Sequence, residues 1–538
     1  MQPVTQLITE EVLIDISVLT MFAVLVAMAA RRFGVGTAIP LVVAGVLVGL
    51  FPDGPVLALH PETVLVVILA PLVFGEALGL GYVDFKAAQR PILILAIGLV
   101  VVGAFAIGWV ASLIIPGIPF AAAVAFGAIL GPTDAVSVSA TAKRAGLSHR
   151  LVTILEGESL VNDGAALTFL RVAVLATSLG SVTAGQVGVI LTEAVVFGVV
   201  VGLVGGFLLV LVIRKSKDLL AVNGLILIAP FPLYLGAEWI EGSGILAVVV
   251  AAIVVAHQHT KHGGFRSRLH FDTIWSQITY VLQAAAFVFI GLEIPNTLRL
   301  LPHEQLIWVL VLIPTIWLTM VVVRFAFLFI YALVIRLLPA TGKLSRREWL
   351  VAAWAGARGP ISGLAAFSLP LTLDDGEAFP FRNLLIAATL CVVFLTLLLG
   401  PTLAPLARAL RVTGDADQHA RAELEAALAR VSLDALEEMV SESDWDRTAE
   451  AERAVDILTQ SALRRIDRAM EALEPGAVSE VDEAHPHTVK ESGDALRRRM
   501  LQAEEAEVLR MRDEGGLTDS LTQEVLGDID LRRRALEG

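Results

Sequence analysis

Within eight residues of this 538-residue chain lie Glu156, Glu158, Ser159, Asn162 and Asp163. Glu158, Ser159, Asn162 and Asp163 fall at i, i+1, i+4 and i+5, which puts all four on one wide face of a helix. Carboxylate, amide and hydroxyl oxygens converging there offer ligands to a hard cation. The run that carries them, 150–178, is otherwise largely apolar and long enough to cross a bilayer. A charge at mid-bilayer costs about 2.5–3.5 kcal/mol on insertion scales. A lone Ser or Asn can serve simply to tie helices together, but several ionisable groups in one span cost more than such bonds return.

Two further stretches share a different device. Gly131-Pro132-Thr133-Asp134 interrupts one apolar run, and Ala357-Arg358-Gly359-Pro360 interrupts another. Proline lacks an N–H and clashes with the preceding turn, so each helix breaks or kinks there. Freed carbonyls and the Thr133 hydroxyl become candidate cation ligands, and broken helices at membrane depth are tolerated where they are buried in protein or line a cavity. Arg358 can neutralise an acid of the 150–178 run, Glu158 first among them, leaving Asp163 and Asp134 to handle an ion. Other ionisable groups inside apolar runs are Glu76, Glu193, Arg171 and Arg324. Arg171 and Arg324 can pair with an acid such as Glu193 or snorkel to the interface.

The elements that must position these groups follow from composition. Apolar residues make up 56 % of the chain and charged residues 17 %, with a net charge of −13. Soluble proteins carry charge on about a quarter of their residues. The charge is also segregated: 411–538 holds 31 acids and 17 bases, net −14, and 1–410 holds 22 acids and 23 bases. The chain therefore reads as a membrane part, 1–410, and a polar tail, 411–538, which excludes a soluble enzyme over its whole length. The N-terminus lacks a basic start, short apolar core and Ala-x-Ala end, so the first apolar segment is expected to stay and span.

A spanning helix needs roughly 20 apolar residues. Thirteen runs qualify, at about 12–30, 37–51, 62–80, 91–115, 119–141, 150–178, 187–213, 219–236, 244–257, 273–292, 305–335, 348–370 and 382–409. Alternate loops between them carry 17 bases, including Arg31, Lys86, Arg150, Lys215, Arg266 and Arg347, whereas the other loops carry Arg299 and Arg382. Basic loops face the cytoplasm, which puts the N-terminus outside and the tail inside. The two interrupted runs are the fifth and twelfth. If 1–6 and 8–13 are repeats joined by the seventh, their odd offset inverts one against the other, and interrupted segments at corresponding positions point to a transporter site. The tail patterns as amphipathic helices over 420–440, 447–473, 491–513 and 518–536. His257, His259, His262 and His270 have no acid or Cys nearby to complete a tetrahedral metal set, so they read as a solvated loop.

The stretches GAILGPTDAVSV (127–138), HRLVTILEGESLVNDGAAL (149–167) and WAGARGPISGLAA (354–366) resemble the cation/proton antiporter family, in the branch of NhaP-type bacterial antiporters and animal sodium/proton exchangers. FVFIGLEIP (287–295) and VAGVLVGLFPD (43–53) add to the likeness, which runs over nearly all of 12–410. The resemblance implies an all-α membrane protein of about thirteen helices in two inverted six-helix repeats. It also implies broken helices that cross at the ion site, and a homodimer in the cell membrane. It implies exchange of Na⁺ (or Li⁺, in some members K⁺) for H⁺ in pH and sodium homeostasis. Asp163 would be the ion- and proton-binding carboxylate, with Asp134, Thr133 and Ser159 completing a Na⁺ site. Asn162 marks the branch that resembles electroneutral exchangers, and Glu158 would pair with Arg358. Many members carry an acid directly after a Phe in the third span. Here Phe74-Gly75-Glu76 places it one residue later, a turn of about 100°, so Glu76 is a possible additional ligand.

No Walker A pattern occurs, so the chain encodes no ATP motor, and neither a cofactor nor nucleic acid is expected; the partners are monovalent cations, protons and the lipid bilayer. The alternatives are a K⁺/H⁺ exchanger on the same fold, an ion channel, and a membrane sensor that signals through its tail.

Overall fold

The computed structural model describes residues 10–51, 65–134, 146–180, 183–216, 218–262, 265–337, 344–373, 376–412, 415–441, 448–473, 491–514 and 517–536. Among these the chain is helical, with a single isolated bridge between Thr372 and Ala378. In order the helices are α1 Glu10–Arg32, α2 Ala38–Gly49, α3 Ala70–Leu78 (entered through a π-turn, Leu65–Leu69), α4 Tyr82–Ile114, α5 Phe120–Ile129 and α6 His149–Leu179. There follow α7 Ala184–Lys215, α8 Leu219–Ile228, α9 Pro230–Trp239, α10 Gly244–His262, α11 Phe265–Arg299 and α12 His303–Leu337. The remainder are α13 Arg346–Trp354, α14 Pro360–Ala365, α15 Arg382–Leu397, α16 Leu399–Ala409, α17 Asp415–Ser441, α18 Ala449–Ala472, α19 Glu491–Asp513 and α20 Asp519–Arg534.

Local chemistry sets the boundaries. Thr183 and Gln186 form a reciprocal capping box at the start of α7, and Ser345 and Glu348 form another at α13, each satisfying two orphan backbone donors. Gly180 ends α6 at φ +73°. The run expected as one span at 219–236 is one membrane-length stretch, Leu220–Trp239, interrupted at Pro230 into α8 and α9, because the proline ring displaces the carbonyl one turn back. Two helices begin well before their expected apolar limits: α4 starts at Tyr82 rather than 91, and α11 at Phe265 rather than 273. In both, the extra turns are polar; an apolar window marks the hydrocarbon and not the hydrogen-bonded helix that extends beyond it.

Among the described residues, eight helical stretches are long and apolar enough to cross a membrane, and four shorter apolar helices accompany them. Backbones approach closely where glycines face one another. A Cβ on Gly291 of α11 would lie 2.1 Å from the Val42 carbonyl oxygen of α2, the small-residue contact by which membrane helices pack.

The chain forms two compact units, Met1–Leu80 with Phe85–His257 and Phe271–Thr413, and Gly81–Asp84 with Gln258–His270 and Gly414–Gly538. In the first, α5 packs on α6, α12 on both α13 and α15, and α14 on α5 and α15, so the two interrupted segments share one core. In the second, α17 packs on α18 and α19, and α19 on α20. Leu424, Leu428, Val508, Leu526 and Ile529 fill one core there, and Leu436, Leu458 and Leu496 another.

Candidate ion-binding site

The site is built where two helices stop. α5 ends at Ile129, Leu130 and Gly131 close its last turn, and 132–134 run on as irregular backbone; α13 ends at Trp354, 355–359 are non-helical, and α14 resumes at Pro360. The two irregular segments meet. The Asp134 N–H donates to the Ala357 carbonyl at 2.9 Å. Gly359 lies against the Asp134 side chain so closely that a Cβ would sit 2.8 Å from the Asp134 Cβ, which requires glycine there.

The carbonyls freed by the Gly131-Pro132 break are taken up by side chains. Arg358 Nη1 donates to the Gly131 carbonyl at 2.6 Å, and Ser362 Oγ to that of Pro132 at 3.2 Å. Ser159 Oγ donates to the Thr133 carbonyl. Asn162 Nδ2 donates to Thr133 Oγ1 at 2.8 Å. Thus Thr133, Asp134, Ser159, Asn162 and Arg358, all singled out from sequence, come together with Asp163 on the adjoining turn of α6.

Asp163 itself is fully buried, at 0 % exposure. Both of its carboxylate oxygens, and Asn162 Oδ1, have no hydrogen-bond partner among the described residues. Three buried acceptor oxygens on adjacent residues without a donor form an arrangement that a proton or a cation relieves. Glu76 on α3 and Asp134 both lie within electrostatic range of Asp163, and Glu76 is also within range of Glu156. The stretch 135–138 of the first sequence motif lies outside the described residues, as do the side chains of His259, His262 and His270.

The expected pairing of Glu158 with Arg358 is not the one found. Arg324 of α12 grips Glu158 with two bonds, Nη1 to Oε1 at 2.5 Å and Nη2 to Oε2 at 3.0 Å, and sends Nε to the Ala352 carbonyl at 3.2 Å. The fork of a guanidinium matches a carboxylate in this way. Arg358 is instead committed to the Gly131 carbonyl, and both arginines line a cavity of about 20 Å³ with Glu158. Arg171 bonds to Glu238 of α9 rather than to Glu193. Sequence spacing had no way to choose between Arg324 and Arg358. Two residues that reading overlooked, Ser362 and Thr396, also reach the crossing, and a lone hydroxyl in an apolar run carries no signal of its own.

A family profile described as "Sodium/hydrogen exchanger, transmembrane" matches residues 18–409. The chain belongs to that family. It is therefore a multi-pass integral membrane protein of a monovalent cation/proton antiporter family, whose members are transporters and not enzymes. An uncharacterised Na⁺/H⁺ exchanger of Mycobacterium tuberculosis is 30 % identical over 514 residues, covering 93 % of this chain and 92 % of the relative. The sodium, potassium, lithium and rubidium/H⁺ antiporter of Bacillus subtilis is 31 % identical over 382 residues, covering 68 % of this chain and 56 % of that one. The sodium/proton antiporter MjNhaP1 of Methanocaldococcus jannaschii shares the fold, with a TM-score of 0.58 at 17 % identity, over 74 % of this chain and 99 % of that chain.

Proposed function

We propose that this exchanger moves Na⁺ (or Li⁺) against H⁺ at one shared site centred on Asp163, by alternating access. The carrying observation is the set of three buried, donorless oxygens, two on Asp163 and one on Asn162. A bare carboxylate pays a desolvation penalty in crossing the membrane. Only the states loaded with a proton or a cation move cheaply, and that rule couples the two fluxes. Asp134, Thr133 and Ser159 supply the remaining oxygens for Na⁺, and Glu76 lies close enough to add to the local negative field. The Glu158–Arg324 pair, closed on itself, is a structural strut, and Arg358 holds the broken fifth span by its Gly131 carbonyl.

With Asn162 in place of a second acid, the 162–163 pair carries one exchangeable charge, which favours electroneutral exchange. One pH unit then balances a tenfold cation gradient, about 1.4 kcal/mol. The bias of basic loops supports an outside N-terminus and a cytoplasmic tail in the cell membrane, with residues 1–410 as the transport domain and 411–538 as a separate acidic one. The resemblance supports a homodimer working in pH and sodium homeostasis. A second reading, K⁺/H⁺ exchange on the same site, draws on the broader ion range in the name of the Bacillus subtilis relative.

The test is cation-driven proton flux in proteoliposomes over a pH series. Na⁺ and Li⁺ should dequench a trapped pH dye, and Asp163→Ala should abolish the signal while the protein still inserts. Normal exchange in that variant overturns the site, a larger response to K⁺ than to Na⁺ shifts the substrate, and a clear voltage dependence refutes electroneutrality.

A further inference from the structure

We infer that Thr396 is a positioning residue for cation exchange, acting through the backbone of Arg358; the inference rests on the reading of the site given above. Residues 355–359 have left the helix, so their N–H and C=O groups need partners from elsewhere in a water-poor interior. Ala357 gives its carbonyl to Asp134. The next residue, Arg358, gives its N–H to Thr396 Oγ1 of α15 at 3.0 Å. Thr396 is buried, and its own hydroxyl proton goes to the Val393 carbonyl one turn back at 2.8 Å. With the proton so placed, the oxygen presents a lone pair to Arg358.

The position of that anchor gives it leverage. Three consecutive residues touch the segment 131–134: Ala357 through its carbonyl, Arg358 through Nη1 on Gly131, and Gly359 by packing on Asp134. The middle residue of the three is the one that α15 holds. A shift at its N–H displaces the Ala357 carbonyl from Asp134 and the guanidinium from Gly131 together, which moves the oxygens offered to the ion. By contrast, Thr389 on the same helix donates to the Leu385 carbonyl four residues back within α15.

Thr396→Val keeps the shape and removes the hydroxyl, leaving the Arg358 N–H without its acceptor. In proteoliposomes with Na⁺ as the probe, this variant should raise the KM for Na⁺ about tenfold, with Vmax per inserted protein little changed. Thr396→Ser, which keeps the hydroxyl, should match the parent. If Thr396→Val fails to insert, Thr396→Cys, with its weaker acceptor, should give an intermediate rise. A parental KM in Thr396→Val or Thr396→Cys, a fall in Vmax alone, or an effect of Thr396→Ser as large as that of Thr396→Val overturns the inference. Asp163→Ala in the same series separates the two layers. If it still exchanges, the site reading itself fails; if it is silent while Thr396→Val is parental, only the positioning role fails.

Discussion

Two buried carboxylates, one in each unit, meet opposite fates. Glu504 in α19 is 1 % exposed, and Asp163 in α6 is 0 % exposed. Glu504 accepts from Ser432 Oγ at 2.5 Å, from Arg465 at 2.6 Å and from Arg532 at 3.0 Å, gathering α17, α18 and α20 around α19. Asp163 accepts from nothing among the described residues. Burial alone therefore does not mark a functional acid. A carboxylate whose oxygens are filled by fixed donors holds the fold together, and one whose oxygens are left open is held ready for a ligand that comes and goes. Glu158 extends the comparison into the membrane unit. It lies one turn from Asp163 but, gripped by Arg324, behaves like Glu504.

That contrast can be broken from the satisfied side, where the expected effects on stability are large. Arg324→Ala would leave Glu158 buried and unpaired, at a cost of about 3–5 kcal/mol. It should lower the thermal unfolding midpoint of the purified protein by several degrees. An unchanged midpoint would mean that the ion pair is not a strut. A smaller effect is expected in the tail. Glu504→Gln weakens bonds to two arginines and a serine, which should destabilise the tail helices by about 1–3 kcal/mol, read as faster amide exchange in 491–513.

The same carboxylate sets a pH dependence. Burial pushes Glu504 up, but Arg465 and Arg532 outweigh it, and the group is held below the ordinary carboxylate range. A depressed folded value contributes stability that is fully present above the unfolded value, about 4.3, and is lost as the pH falls through the folded one. Tail protection, measured as exchange relative to the intrinsic rate at each pH, should therefore be level between pH 8 and 6 and fall below about pH 4, a step that Glu504→Gln removes. A step near neutrality instead would assign the dependence to other groups.

Much of the site was legible because it violates a simple rule. Charges and Gly-Pro pairs are costly in apolar runs, so Asp134, Glu158, Asp163 and Arg358 stood out against their surroundings. Their partners did not. Arg324 and Arg358 both lie in apolar runs remote in sequence from Glu158, and which of them reaches it depends on helix rotation and on the Gly131 carbonyl competing for Arg358. Ser362 and Thr396 are ordinary residues made important by backbone that left its helix far along the chain, at Pro132 and at Arg358. The fold shows the same division: hydropathy found where the chain is apolar, including the stretch Leu220–Trp239 that Pro230 interrupts, but polar turns carried α4 and α11 past their apolar limits.

The central claim, that Asp163 holds either a proton or a cation, is tested most directly by counting protons released when Na⁺ binds. Titration calorimetry of the purified protein in buffers of different ionisation enthalpy gives that number. The account predicts release approaching one proton per Na⁺ at acidic pH, falling as the pH rises, and absent in Asp163→Asn. Na⁺ binding with no proton release at any pH, or release that persists in Asp163→Asn, would contradict it.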